Sequence, residues 1–187
     1  TIMQSFFLIG VISVEFILVG YTLIFGDDIH GIIGDFSKFG LGGAETTILS
    51  DTHIPELAFV AFQCMFAVIA PAIMSGSITG RMRFAPFVIF ALLWSIFIYN
   101  PMAHWIWGGG FLSDLGALDF AGGLVIHVLS GVSGLTLCML LGRRRGYGRM
   151  PMLPHHLPMT ILGAAILWFG WFGFNAGSAL GVGFLAA

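Results

Sequence analysis

Five long apolar runs, almost free of charged residues, decide what this chain can fold into. A helix that crosses the hydrocarbon core of a bilayer needs roughly 20 apolar residues. The sequence predicts such spans at residues 1–25, 57–80, 84–104, 120–141 and 158–187. Only 9% of the 187 residues are charged, which is too few to cover a soluble domain. We therefore expect an all-α membrane protein, a polytopic helical bundle.

The basic residues predict which loops face the cytoplasm. Six of the seven lie in two short clusters: Arg81 and Arg83, then Arg143, Arg144, Arg145 and Arg149. With five spans, the inner loops 81–83 and 142–156 fall on one side, which the positive-inside rule makes cytoplasmic. Residues 26–56 then form an acidic outer loop. This loop is either a rim that attracts cations or an ordinary solvated loop.

Other sequence features narrow the function. Cys64 and Cys138 lie in apolar runs, which predicts buried thiols and no disulfide. The histidines show no metal spacing on one helix, and no basic tract typical of nucleic-acid binding occurs. Because the chain begins without methionine and stops inside an apolar run, we expect it to be a piece of a longer membrane protein.

A histidine interrupts the fourth apolar run, in the stretch DFAGGLVIHVLSG at residues 119–131. Ionisable groups inside a membrane are costly and are functional by default. A spacing of four residues puts Gly123, His127 and Gly131 on one face of a helix, so we expect His127 to point into the bundle. The alternative is a neutral histidine bonded to a neighbouring helix. Asp119, just before this span, is expected to cap the free N–H groups of the helix start.

Aromatic and polar residues in the second and third spans form a further group of candidates. Phe62 and Phe66 share a face of the second span, and Gln63 is a polar side chain at membrane depth. Trp105 and Trp107 end the third span before three glycines. Tryptophans at this depth usually form an interfacial belt, but one turned inward could bind a cation.

Two more observations concern the fifth and the first spans. Phe174 and Ser178 are four residues apart on the fifth span, which suits either ordinary helix packing or an aromatic plug above a hydroxyl group. Glu15 is the single charged residue in the first span. It either pairs within the bundle or faces water.

Five of these stretches together resemble the Amt side of the ammonium transporter (Amt/Rh) family. They are GYTLIFG (20–26), AFQCMFA (61–67), HWIWGGGFL (104–112), GALDFAGGLVIHVLSGVSGL (116–135) and LPMTILGAAILWFGWFGFNAGSA (157–179). The resemblance implies about eleven spans in two inverted five-helix halves, and a homotrimer with one narrow pore through each subunit. The chain would hold about five of these spans, the second to the sixth.

The resemblance also implies roles for individual residues. Trp107, Phe66 and Ser178 would form an outer ammonium site, with Asp119 nearby to order the backbone and favour the cation. Phe66 and Phe174 would close the pore below it. His127 would be the first of two pore histidines, with its partner beyond residue 187. Gln63 would line the route.

The substrate implied by the resemblance is ammonium or ammonia, with methylammonium as a further substrate. The implied partners are the lipid bilayer, two more copies of the chain, and a PII-type nitrogen-regulatory protein at the cytoplasmic face. No cofactor, metal, nucleic acid or enzymatic activity is implied.

Two other functions are compatible with the sequence. The same fold could serve as an ammonium-sensing receptor with a fused signalling domain. A membrane redox enzyme would use His104 and His127 as haem ligands, but these residues lie on different spans at different depths and lack matched axial partners.

Overall fold

The computed structural model describes residues 2–50, 52–181 and 183–184. In this part of the chain, five helices are long and apolar enough to cross a membrane: Ile2–Phe25, Glu56–Ile78, Phe84–Asp114, Gly123–Leu141 and Leu157–Ser178, called below the first to fifth spans. Residues Thr1–Gly142 form one compact unit with four spans, and Arg143–Ala187 form a second unit with the fifth. Each unit is described by itself.

Several ends of these helices differ from the predicted ones. The third span was expected to end at residue 104, but its helix continues to Trp107 and a short helix follows at Phe111–Asp114. The fourth begins at Gly123 and not at 120, because Gly122 has a left-handed backbone with φ 87°. The fifth was expected to reach residue 187, but its helix ends at Ser178; Val182 and residues 185–187 lie outside the described residues.

Three of the spans contain π-helical turns within the described residues. These turns are Phe16–Gly20 in the first span, Ser95–Tyr99 in the third and Gly123–Val128 in the fourth. The flanking α-helices are Ile2–Glu15, Tyr21–Phe25, Phe84–Trp94, Asn100–Trp107 and Leu129–Leu141. A π turn holds one more residue than an α turn and is frequent at functional sites. Each of these turns contains or adjoins a polar side chain at membrane depth.

Small and hydroxyl residues bring the helices of the first unit together. The second span packs against both the first and the fourth. The Ser130 hydroxyl of the fourth span donates to the Ala70 carbonyl of the second at 2.8 Å, and Gly134 lies beside Ser77. Close backbone approach at small residues is the usual way that helices associate in lipid.

The connections at the two ends of the bundle are ordered. At one end, Arg81 donates to the carbonyls of Gly142 and Ser77, both at 2.7 Å, so the start of each arginine-containing loop lies at the same end. At the other end, strands Asp28–Ile29 and Ile33–Gly34 form an antiparallel hairpin. A 3₁₀ turn follows at Phe39–Leu41.

Candidate functional site

Three aromatic rings meet beside the second span. The Phe66 side chain is buried, and its ring centroid lies 5.6 Å from that of Trp107, with 34° between the planes. Phe62 meets Phe66 edge-on at 4.6 Å. The structure therefore brings Phe66 together with Trp107, two of the residues that the resemblance assigns to the outer site. Aromatic faces in such an arrangement can attract a small cation.

The indole of Trp107 is held in one orientation by a hydrogen bond. Its Nε1–H donates to the backbone carbonyl of Asp119 at 2.8 Å, which links the end of the third span to the loop before the fourth. Trp107 thus packs inside the cluster instead of standing in an interfacial belt. The tryptophan two residues earlier differs, because Trp105 donates to the Ile32 carbonyl of the hairpin at 2.7 Å.

The carboxylate of Asp119 accepts hydrogen bonds from four backbone N–H groups. Oδ1 accepts from Gly122 and Gly123 at 2.7 and 2.8 Å, and Oδ2 accepts from Leu124 and Val125, both at 2.9 Å. These are the free donors at the start of the fourth span. The expectation that Asp119 caps this helix is confirmed, although Asp119 acts from three residues before the helix-flanking Gly122.

Gly122 is required by the shape of this loop. Its φ of 87° lies in the left-handed region, which strains residues with a side chain. A Cβ atom there would also approach Ile126 Cδ1 to 2.4 Å. The glycine therefore lets the loop fold back so that the Asp119 carboxylate reaches the helix start.

His127 is not enclosed by the other described residues of this chain. It lies in the π turn Gly123–Val128, and its side chain is exposed within this chain. Gly123 and Gly131 are exposed as well, whereas Ser130 and Gly134 are buried against the second span. Within this chain, packing against the second span therefore uses the neighbouring face, that of Ser130 and Gly134, and the orientation of His127 into the complete bundle stays a prediction.

The remaining predicted residues lie in two different units. Gln63 is buried on the second span, with 7% of its surface exposed. Phe174 and Ser178 lie on the fifth span, where the Ser178 hydroxyl donates to the Phe174 carbonyl at 2.9 Å and the Phe174 ring stacks on Trp171 at 4.5 Å. Because the Ser178 proton is used within the helix, the oxygen keeps its lone pairs as acceptors.

Sequence reasoning missed a buried histidine that fastens the outer hairpin to the third span. His104 was expected at the membrane interface, but its side chain is 0% exposed. Nδ1 donates to the Ile24 carbonyl at 2.7 Å, and Nε2 lies 2.9 Å from Asp28 Oδ1. Neither ring nitrogen is available to bind haem iron. A Cβ at Gly108 would overlap the Ile24 carbonyl and the His104 ring, which explains one of the three glycines here.

Asp28 makes the stability of this connection depend on pH. The hydrogen bond from His104, followed by that from the Gly31 N–H, lowers the pKa of the Asp28 carboxyl below its ordinary value. A lowered pKa contributes stability above the unfolded-state pKa, and this contribution disappears as the pH falls through the folded-state pKa. We expect Asp28→Asn to remove part of the loss in melting temperature of the full-length protein below about pH 4.

Two other aspartates serve as comparisons in this experiment. Asp35, whose pKa is lowered by hydrogen bonds from Ser37, should keep some acid sensitivity in the Asp28→Asn variant. Asp114→Asn at an exposed position is the matched control. If Asp28→Asn and Asp114→Asn show the same pH profile of melting as the wild type, the His104–Asp28 contact does not contribute to acid sensitivity.

One acidic residue that we expected in the outer loop is buried instead of solvated. Glu56, expected in this loop, is the first residue of the second span and is only 2% exposed. Its Oε1 accepts from the Tyr21 hydroxyl at 2.7 Å and from Lys38 Nζ. The carboxylates of Asp28, Asp35 and Glu56 thus hold the loop in place.

The described residues contain no cluster of the side chains that usually bind metal ions. No group of three or more His, Cys, Asp or Glu side chains there could hold a metal ion. Both cysteines are free thiols; Cys64 is buried, but Cys138 is partly exposed and so differs from the prediction.

Comparison with known proteins extends over the whole chain. A family model described as Ammonium Transporter Family matches residues 1–187. An ammonium transporter of Aquifex aeolicus is 50% identical over 187 residues, which are 100% of this chain and 44% of that protein. Ammonium transporter Amt1 of Archaeoglobus fulgidus is 44% identical over 176 residues, covering 94% of this chain and 43% of its own.

Solved structures share the fold. The crystal structure of Candida albicans Mep2 is similar with a TM-score of 0.85 at 34% identity, over 95% of this chain and 40% of that one. A structure named Sensor Amt Protein gives a TM-score of 0.85 at 30% identity, over 97% of this chain and 47% of its own. The chain therefore spans less than half the length of these relatives. With five apolar helices of membrane-crossing length in its described residues, it is a multi-pass membrane protein and belongs to the ammonium transporter family.

Proposed function

We propose that the full-length protein transports ammonium or ammonia across the membrane. The observation that carries this proposal is the Phe66–Trp107 ring pair, with its indole fixed by the Asp119 carbonyl. Ring faces attract a cation as small as ammonium, and fixing the rings in advance reduces the entropy lost on binding. Ser178, whose oxygen keeps its acceptor lone pairs, would accept one of the ammonium N–H bonds.

Below this outer site, Phe66 and Phe174 would act as the gate of the pore. His127 would line the path and offer ammonia a hydrogen-bond donor and an acceptor. The exposure of His127 in a chain that covers 44% of its Aquifex relative is compatible with this role. Gln63 would contribute a polar group along the same route.

Ammonium-evoked current in liposomes that contain the full-length protein tests this proposal. We expect a wild-type current that Trp107→Leu lowers by about tenfold or more, corresponding to roughly 1.4 kcal/mol of lost cation binding. His127→Ala should abolish the current or make it less selective for ammonium over methylammonium, and Phe174→Ala should alter gating.

Trp105→Leu is the matched control, because it makes the same chemical change two residues away on the same helix. If both tryptophan variants lose current equally, the loss reflects folding and not recognition. Unchanged flux in Trp107→Leu and His127→Ala would refute the assigned residues.

An ammonium-sensing receptor is the second candidate function. It is favoured by the similarity to Sensor Amt Protein, at a TM-score of 0.85. Ammonium binding without current in the same liposomes, lost in Trp107→Leu, would support sensing or electroneutral ammonia passage. Uptake of radiolabelled methylammonium then distinguishes sensing from electroneutral passage.

The proposed assembly follows from family membership. We infer a homotrimer with one pore in each subunit, which the mass of the full-length protein in detergent would test. The cluster of Arg143, Arg144, Arg145 and Arg149 suits an acidic surface on a PII-type regulatory protein at the cytoplasmic face.

A further inference from the structure

A buried carboxylate in the first unit takes no part in the proposed transport site. Glu15 lies in the first span and is only 6% exposed. Its Oε2 accepts from the Ser95 hydroxyl and its Oε1 from Asn100 Nδ2, each at 2.9 Å. Both donors are neutral. In the parts of the chain that the structure describes, no lysine, arginine or histidine forms an ion pair with Glu15.

The same cluster contains an acceptor that lacks a donor. Asn100 is 0% exposed, and its Oδ1 atom has no hydrogen-bond partner among the described residues. A buried acceptor without a partner destabilises the folded state. A negative charge and an unsatisfied oxygen on neighbouring side chains therefore require the same kind of partner.

Gly20 lies beside both of these oxygens. A Cβ atom on Gly20 would lie 3.2 Å from Glu15 Oε1 and 3.4 Å from Asn100 Oδ1. The backbone of Gly20 is right-handed helical, with φ −60°, so its conformation does not require glycine. The absence of a side chain instead avoids crowding against both oxygens and against Phe16 Cδ2, which would lie 3.2 Å from the same Cβ.

The cluster also lies where two helices are irregular. Glu15 precedes the π turn Phe16–Gly20, while Ser95 opens and Asn100 follows the π turn Ser95–Tyr99. π turns are frequent at functional sites. Glu15 also lines a groove of about 760 Å³ whose other walls, such as Phe7, Val11 and Leu92, are apolar.

We propose that Glu15 and Asn100 form a binding site for one small monovalent cation, sodium or ammonium, inside the helix bundle. Glu15 Oε1 and Asn100 Oδ1 contact the cation, and Ser95 fixes the second carboxylate oxygen. One cation neutralises the charge and satisfies the free acceptor together, which two neutral donors cannot do. This site is separate from the Phe66–Trp107 cluster and does not depend on the proposed transport function.

Binding by the full-length protein in detergent tests the site. Radioactive sodium is measured by equilibrium dialysis, and the melting temperature is compared in sodium, ammonium and choline chloride at equal ionic strength. We expect saturable binding of sodium, or a rise in melting temperature in sodium or ammonium over choline. Glu15→Gln should weaken the affinity for the cation by about tenfold or more.

Gly20→Ala is the second variant, because it keeps both oxygens but places a methyl group 3.2 Å from Glu15 Oε1 and 3.4 Å from Asn100 Oδ1. It should also weaken the response, and it keeps the test decisive if Glu15→Gln does not fold. Glu45→Gln, at an exposed carboxylate, should respond like the wild type.

The outcomes of this test distinguish a sodium site from an ammonium site. A response to sodium that both variants lose assigns a sodium site. A response to ammonium alone, lost in Glu15→Gln and Gly20→Ala but kept in Trp107→Leu, assigns a second ammonium site. Equal melting in all three salts without sodium binding, or a response that both variants keep, would overturn the proposal.

Discussion

Replacing Asp119 with alanine should lower the free energy of unfolding of the full-length protein by about 2–4 kcal/mol. The substitution leaves four backbone N–H groups without their carboxylate acceptor at the start of the fourth span. Unfolding in mixed micelles of mild detergent and dodecyl sulfate, followed by circular dichroism, measures the change. Because the Asp119 backbone also accepts from Trp107, ammonium flux should fall with it.

Two further substitutions make this prediction specific. Asp119→Asn keeps one acceptor oxygen, so we expect about half the loss in stability. Asp114→Ala, at an exposed aspartate nearby, should change the free energy of unfolding by less than about 0.5 kcal/mol. A wild-type stability for Asp119→Ala would mean that these hydrogen bonds do not hold the helix start.

Glu56→Ala should have the second-largest effect, lowering the free energy of unfolding by about 2–4 kcal/mol. Tyr21, only 1% exposed, loses the acceptor of its hydroxyl. Lys38 loses its ion-pair partner, but its side chain is 31% exposed, so water replaces part of that interaction. The same micelle titration gives the change.

A double-mutant cycle shows whether the tyrosine contact carries the effect. In the Glu56→Ala background, Tyr21→Phe should cost much less than in the wild type, because the hydroxyl has already lost its partner. Glu45→Ala, an exposed glutamate of the same loop, is the control and should stay within about 0.5 kcal/mol. Additive losses for Tyr21 and Glu56 would contradict the contact seen here.

The sequence predicted those features that depend on local patterns. Long apolar runs predicted the helices that could cross a membrane, and a carboxylate before an apolar run predicted the cap at Asp119. The resemblance to ammonium transporters predicted that Phe66 and Trp107 lie together. Each of these inferences needs only residue types and their spacing, or motifs already known.

The features that the sequence did not predict depend on distant partners. His104 is buried because Ile24 and Asp28, some eighty residues earlier, meet both ring nitrogens. Glu56 is buried because Tyr21 and Lys38 converge on it. A polar residue near the end of an apolar run has the same local pattern whether it faces water or a partner, so composition alone placed both residues at the surface.

The packing around His127 within this chain was not predicted either, for a different reason. The spacing rule of four residues assumes a regular α-helix, whereas His127 lies in a π turn. The amino-acid composition of this segment did not predict that turn. The prediction placed His127 and Ser130 close together on a packed face, but only Ser130 is buried.

The π turns have a consequence for how such spans can change in evolution. One residue inserted into an α-helix rotates everything beyond it by about 100°, which would turn Trp107 away from Phe66. A π turn such as Ser95–Tyr99 absorbs the extra residue locally, so the helix on either side keeps its orientation. A homologue with one residue fewer at this turn could therefore present the same side chains from an uninterrupted α-helix. A single-residue gap in an alignment at this position would then not imply a rearranged helix bundle.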